Sequence, residues 1–201
     1  MDTAVSLIQA YLYANGYFTI TEYPILEQIG SGTPRQVTDI DVLAVRFPGA
    51  GAIDPDLETS GITLQPDPEL DLTEDMIDVI IGEVKEGAAE LNKAARDPAV
   101  LTAVCARIGR ISPEITKGIV ADLIATGTAT YPAGIRLRQM VFASRPPTQR
   151  HVPYTWISLG HITLWMRNQI REHWDEIKTV QSKDPALGFM ILREKAERGE
   201  E

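Results

Sequence analysis

The sequence predicts an α/β fold with a central mixed sheet flanked by helices. Three observations carry this. Runs rich in β-branched and aromatic residues alternate with amphipathic runs along all 201 residues. The first amphipathic run precedes three strand-like runs, which read as a meander. Two or three further helical runs then separate the third strand from the later ones, as a crossover to a non-consecutive strand requires. The length suits one domain and is enough to close a substantial core.

Each element follows from local chemistry. Residues 3–14 (TAVSLIQAYLYA) place Val5, Leu7, Ile8, Tyr11 and Leu12 at helical spacing, and Asn15-Gly16 closes the run. Residues 17–29 read as a strand in which Pro24 marks a bend or an edge. After turn chemistry at 30–36, residues 37–47 read as a second strand, whose VLAV run predicts burial on both faces. Residues 48–75 hold four prolines, are dense in glycine and acid, and read as a long surface insertion or flexible loop. Residues 77–85 (IDVIIGEVK) are the clearest strand. Helices are predicted over 87–96, over 98–109 and from Ser112-Pro113-Glu114 to about Gly127, with Ser as N-cap and Pro in the first turn. Residues 134–144 and 154–159 read as strands joined by a Pro/Arg-rich loop. Residues 161–178 read as an amphipathic helix with Ile162, Trp165, Met166, Gln169, Ile170, His173 and Ile177 on one face. The predicted domain is 1–183, followed by a tail, 184–201, with at most a short helix.

Composition excludes several classes. A hydrophobic content of 44% and a charged content of 23% are globular values. One cysteine, Cys105, excludes an internal disulfide and a Cys-rich zinc site. No apolar run is long enough to span a membrane. The N-terminus has no basic stretch and no cleavage signal, so a cytoplasmic protein is expected. The net charge of −9 argues at first against nucleic acid. Its distribution changes that reading. Residues 1–90 hold 3 basic against 17 acidic residues, a net of −14, whereas residues 91–201 hold 16 against 11, a net of +5. Such asymmetry is a hint of nucleic-acid or membrane contact.

Two strands carry charge inside apolar runs. In TDIDVLAV, Asp39 and Asp41 share a face, and in IIGEVK, Glu83 and Lys85 share a face opposite Val84. Buried charge is costly unless it is paired or metal-bound. Carboxylates with a nearby lysine suit metal-assisted hydrolysis: oxygen ligands hold a hard cation, and the lysine orients water or stabilises developing charge. The alternative is an ordinary Glu–Lys pair at the solvent edge of a strand.

An acidic residue in an IDVLA strand, followed by a strand ending E-x-K and preceded by a helix, resembles the PD-(D/E)xK nuclease superfamily, which includes restriction endonucleases and Holliday-junction resolvases. The resemblance covers roughly residues 3–110. It implies a restriction-endonuclease-like three-layer core, with a central mixed β-sheet flanked by helices. It implies a metal-dependent nuclease acting on nucleic acid, DNA before RNA, with Mg²⁺ or Mn²⁺. Asp41 matches the first metal ligand, Glu83 the second and Lys85 the catalytic lysine, with the Val84 carbonyl completing the shell. The spacing from Asp41 to Glu83 is long for the family, and Ile40 replaces the family proline. The first helix lacks the glutamate that some members carry, for which Glu22 and Glu27 are substitutes. Asp39 is the alternative to Asp41, and Lys93 on the next helix is a supporting residue. Arg136, Arg138, Arg145 and Arg150, with His151, are candidates for phosphate contact. A homodimer is the assembly common among enzymes that cut two strands. The competing expectation is an inactive nuclease-fold module that binds DNA or protein.

Overall fold

A computed structural model describes residues 2–27, 33–51, 64–109, 112–131 and 134–199. A mixed six-stranded sheet runs through the molecule, with helices on both faces. Helix α1 (Thr3–Ala14) is capped by Asp2, whose carboxylate accepts the Ala4 N–H at 2.7 Å. Strands β1 (Phe18–Glu27), β2 (Arg35–Arg46) and β3 (Ile77–Ala88) form the predicted antiparallel meander. The chain then crosses over through α2 (Pro98–Ile108) and α3 (Pro113–Thr126) and returns by β4 (Thr128–Tyr131) into β5 (Ile135–Arg145). Strand β5 lies parallel to β3, with Ile77 opposite Ile135 and Lys85 opposite Ala143. The other edge of β5 is shared: β4 pairs antiparallel with Ile135–Arg138, and β6 (Thr155–Ser158) pairs parallel with Met140–Ala143. Helix α4 (Leu159–Glu172), the single turn α5 (Trp174–Ile177) and α6 (Pro185–Arg198) end the chain.

The even-numbered side chains of β3 and β5 (Ile80, Met140, Phe142) meet α1 and α4 through Ile8, Tyr11, Ile162 and Met166. The odd-numbered ones (Val79, Ile81, Leu137) meet α2 and α3 through Leu101, Val104, Ile119 and Leu123. Burying both faces is what the predicted unbroken apolar runs require. Asp97, Ser112 and Asp184 each cap a helix whose first residue is proline, so three helix starts use the same local chemistry. Gly127 ends α3 at φ 72°, and a Cβ there would sit 2.1 Å from the Pro153 carbonyl oxygen, so both conformation and space require glycine.

The structure departs from the sequence reading in five places. Residues 87–96 do not form a helix: β3 runs on to Ala88, and one short turn, Ala94–Arg96, follows. The strand β4 was not expected; TATY is too short to show periodicity. The long last helix starts at Leu159, capped by Ser158, and breaks at His173. Residues 185–198 form a 14-residue helix that packs on the fold through Ala186, Leu187, Met190 and Ile191, so the tail belongs to the domain. Of the 48–75 segment, 52–63 lie outside the described residues, but the 67–71 stretch is pinned to the rest of the fold. Leu70 is fully buried, and the buried Asp67 accepts from Tyr11 Oη at 2.8 Å and sits 2.7 Å from His161 Nε2. A loop rich in proline and acid reads as solvated, but Asp67 has long-range partners in Tyr11 and His161.

A buried ion cluster fixes this same loop. Asp78 is 1% exposed and takes bonds from Arg136 Nε (2.8 Å), Arg138 Nε and Nη2 (3.0 and 2.6 Å) and Tyr17 Oη (2.5 Å). The two arginines also donate to the Asp71 and Leu70 carbonyls. Asp78 thus exhausts its lone pairs, as a buried carboxylate must.

Candidate active site

Strands β2 and β3 pair from Arg46–Asp78 only as far as Val42–Gly82. The next residues on each strand are Asp41 and Glu83. The ladder therefore ends where the two carboxylates begin. Gly82 makes the last pairing tight: a Cβ there would lie 3.2 Å from both the Phe142 ring and the Val42 carbonyl oxygen. Beyond it, the Val84 N–H donates to Asp41 Oδ2 at 2.7 Å instead of to a strand carbonyl. A side chain has replaced a ladder bond, which keeps the part-buried backbone donor satisfied while the strands part.

Glu83 is 5% exposed and faces the α2/α3 side, as its place in the strand alternation dictates. It forms an ion pair with the half-buried Lys85, two residues on. Asn92 Nδ2 donates to both carboxylate oxygens, at 2.9 and 3.1 Å. Burial raises the Glu83 pKa above the ordinary glutamate value. The Lys85 bond and charge pull it down, Asp41 pushes it up again, and Asn92 pulls down without restoring the ordinary value.

A recess of about 580 Å³ opens beside this group, lined by Asp41, Val84 and Lys85 together with Asp2, Glu22, Asp39 and Glu86. Asp39 is exposed and accepts from Gln36 Nε2, so it stands at the rim while Asp41 reaches the Val84 amide. Glu22 lies between the pairs that flank Asp41 and has φ 53°, a left-handed conformation that is uncommon for a non-glycine residue. The Glu27 side chain lies outside the described residues.

The donor set suits a hard divalent cation in kind: two carboxylates and a neighbouring carbonyl, with room for water. Among the described residues, no group of three or more His, Cys, Asp or Glu side chains comes together as a ready-made metal site. Two carboxylates plus water and substrate oxygens are donors of the kind Mg²⁺ takes; of the pair, Asp41 lines the recess, while Glu83 is held beside it by Lys85 and Asn92.

Several expected contributors stand elsewhere. Lys93 is exposed and makes no side-chain cap at its turn; Asn92, one residue earlier, is the one that reaches Glu83. The predicted helix would have aimed residue 93 at the site, but the chain there is loop. No pattern in AELNKAAR marks Asn92 in advance. Arg138 is 4% exposed and committed to Asp78, and Arg136 shares that carboxylate. They do alternate on one face, as read, but it is the α1/α4 face, at the far end of β3. Their place does not suit phosphate contact. Arg145, by contrast, is exposed at the end of β5, two residues beyond the partner of Lys85, with its carbonyl accepting the Ala89 N–H at 2.9 Å. Arg150 and His151 are exposed on the following loop, which Tyr154 ties to the Ala89 carbonyl at 2.8 Å.

The raised Glu83 pKa sets a sign for stability. In the folded protein Glu83 keeps its proton to higher pH than in the unfolded chain. Between the unfolded value near ~4.3 and the raised folded value, the folded state binds more protons, so stability falls as pH rises through that window. Glu83→Gln removes this dependence. Urea unfolding of the two proteins from pH 4 to 7 should show the variant gaining on the wild type as pH rises; parallel curves would show that Glu83 titrates as an ordinary surface glutamate.

No family model, no curated protein and no solved structure matches this chain.

Proposed function

We propose that this chain is a metal-dependent nuclease with a restriction-endonuclease-like core, hydrolysing phosphodiester bonds of nucleic acid, DNA in the first instance. The observation that carries it is that Asp41 and Glu83 stand one step past the last β2–β3 pair, with Lys85 paired to Glu83 and lining the same recess as Asp41. The helix, three-strand meander, helical crossover and parallel return support the fold assignment. Asp41, Glu83 and the Val84 carbonyl would hold Mg²⁺ or Mn²⁺, which polarises a phosphoryl oxygen and acidifies a water when bound. Lys85 reaches the same recess on a half-exposed stem. It orients the attacking water and offsets the negative charge that builds on the phosphoryl oxygens. Glu83 must be ionised for this, and Lys85 and Asn92 both favour its ionised form. Arg145 and Arg150 stand at the same end of the sheet and supply the phosphate contacts that position a polyanion.

The test is a Mn²⁺ titration by calorimetry on the full chain, paired with a plasmid-cleavage assay. The wild type should bind and cleave, and Asp41→Asn should weaken binding at least ~10-fold and lose cleavage. One observation favours a second reading, a non-catalytic module of the same fold. Asp2, Glu22, Asp39 and Glu86 surround Asp41 in the recess and repel phosphate unless a cation is present. Absence of any Mn²⁺ binding would favour that reading.

A further inference from the structure

Glu83 has two polar neighbours of unlike character. Lys85 brings charge, but its stem is long and its side chain is 35% exposed. Asn92 brings direction. Its single NH₂ group serves both carboxylate oxygens, which fixes the plane of the carboxylate. Asn92 is itself held. Its Oδ1 accepts the Ala95 N–H at 2.7 Å, and the Ala95 carbonyl accepts Gln139 Nε2 at 2.6 Å. Gln139 is 1% exposed in the middle of β5, and its own N–H is bound to the Gly127 carbonyl at 2.7 Å. A continuous line of hydrogen bonds therefore runs from β5 through the 92–95 turn to Glu83.

We infer that Asn92 is a positioning residue that fixes the plane of the Glu83 carboxylate beside Asp41, with Gln139 acting through Ala95 to hold Asn92 in turn. This rests on the nuclease reading of the site. The chemistry favours an amide here. A neutral donor orients a carboxylate without lowering its negative charge, whereas a second cation would compete with a bound metal ion. Strand β3 alone cannot do this, because a glutamate has two further rotatable bonds beyond its fixed Cβ direction. Left with Lys85 only, the carboxylate turns to follow the lysine toward solvent.

Asn92→Ser separates this role from a structural one. Serine keeps an oxygen that can accept the Ala95 N–H but is too short to reach Glu83. The variant should melt like the wild type by circular dichroism. Its Mn²⁺ dissociation constant should rise ~10–100-fold, the usual cost of losing an outer-shell partner. Cleavage should be lost at low Mn²⁺ and recover at saturating Mn²⁺. Asn92→Ala, which also removes the cap, should show the same weakening with a lower melting temperature. Wild-type Mn²⁺ affinity in folded Asn92→Ser would overturn the inference. A crystal structure of metal-free Asn92→Ser gives a readout independent of metal: the Glu83 carboxylate should have rotated out of its present plane, following Lys85 toward solvent. An unmoved Glu83 overturns the positioning role even if the wild type proves to be a nuclease. A rotated Glu83 in a chain that binds no Mn²⁺ keeps the positioning role and sinks the nuclease reading instead.

Discussion

Lys85→Ala is expected to lower Mg²⁺-dependent cleavage ~10²–10³-fold, the cost of removing one group that stabilises transition-state charge. Glu83→Ala is expected to abolish cleavage, because it removes half of the carboxylate pair. Both proteins should stay folded. Lys85 is half-buried beside the open recess, so its loss leaves no cavity in either core cluster. Without it, Glu83 is pushed further toward its protonated form, which relieves a buried charge. Glu83→Ala in turn releases Lys85 to solvent and removes the group whose ionisation burial opposes. The measurement is single-turnover cleavage of a plasmid, alongside a urea melt of each variant. Full activity in either well-folded variant would end the assignment of these residues. Loss of activity with loss of fold would be answered by Lys85→Met, which keeps the stem packed and removes only the charge.

Asp78→Ala has the largest expected effect on stability, and none of it comes from the active site. The substitution leaves Arg138, 4% exposed, with its main counter-charge gone, and Arg136 loses the same carboxylate. Breaking a buried ion pair by removing one partner costs ~3–5 kcal/mol. A domain of this kind is stable by only ~5–15 kcal/mol, so the variant keeps a fraction of its stability. The loss should also free the 64–75 segment, since Arg138 and Arg136 hold the Leu70 and Asp71 carbonyls. Urea unfolding measures the first effect. Hydrogen exchange at the Leu70 and Asp71 amides, which are bound to the Asp67 and Pro68 carbonyls, measures the second. Replacing the ions together, with Asp78→Leu, Arg138→Met and Arg136→Met, should recover part of the loss, because uncompensated charge is the costly element. A change under ~1 kcal/mol in Asp78→Ala would show that the cluster behaves as a solvated surface pair.

The two halves of the molecule were unequally legible. IDVIIGEVK shows both a buried strand and its intrusive charges, because period-two alternation and burial are local facts. Glu83 and Lys85 therefore stand out, and so do Asp39 and Asp41 in the strand before them. The Ser112-Pro113 helix start was equally visible, whereas the same chemistry at Asp184-Pro185 was not read as a 14-residue helix. The 87–96 stretch was misread because alanine and leucine favour a helix in isolation. There the chain instead extends β3 and turns, held by Gln139 from a distant strand.

The same limit governs the arginines. Arg136 and Arg138 share a face, and alternation alone establishes that. Which face it is depends on how β5 docks beside β3, and that docking places both arginines on Asp78. Sequence by itself determined the types of the long central elements, the meander and crossover order, and the charged residues lodged in buried strands. These depend on periodicity, capping chemistry and the cost of burying charge, all readable within a few residues. Only the tertiary structure decided which charges meet. Asn92 joins Glu83 across nine residues, Asp78 joins Arg138 across sixty, and Asp67 joins His161 across ninety-four. Those pairings arise from strand register and helix docking, which bring together residues with no local signal of one another.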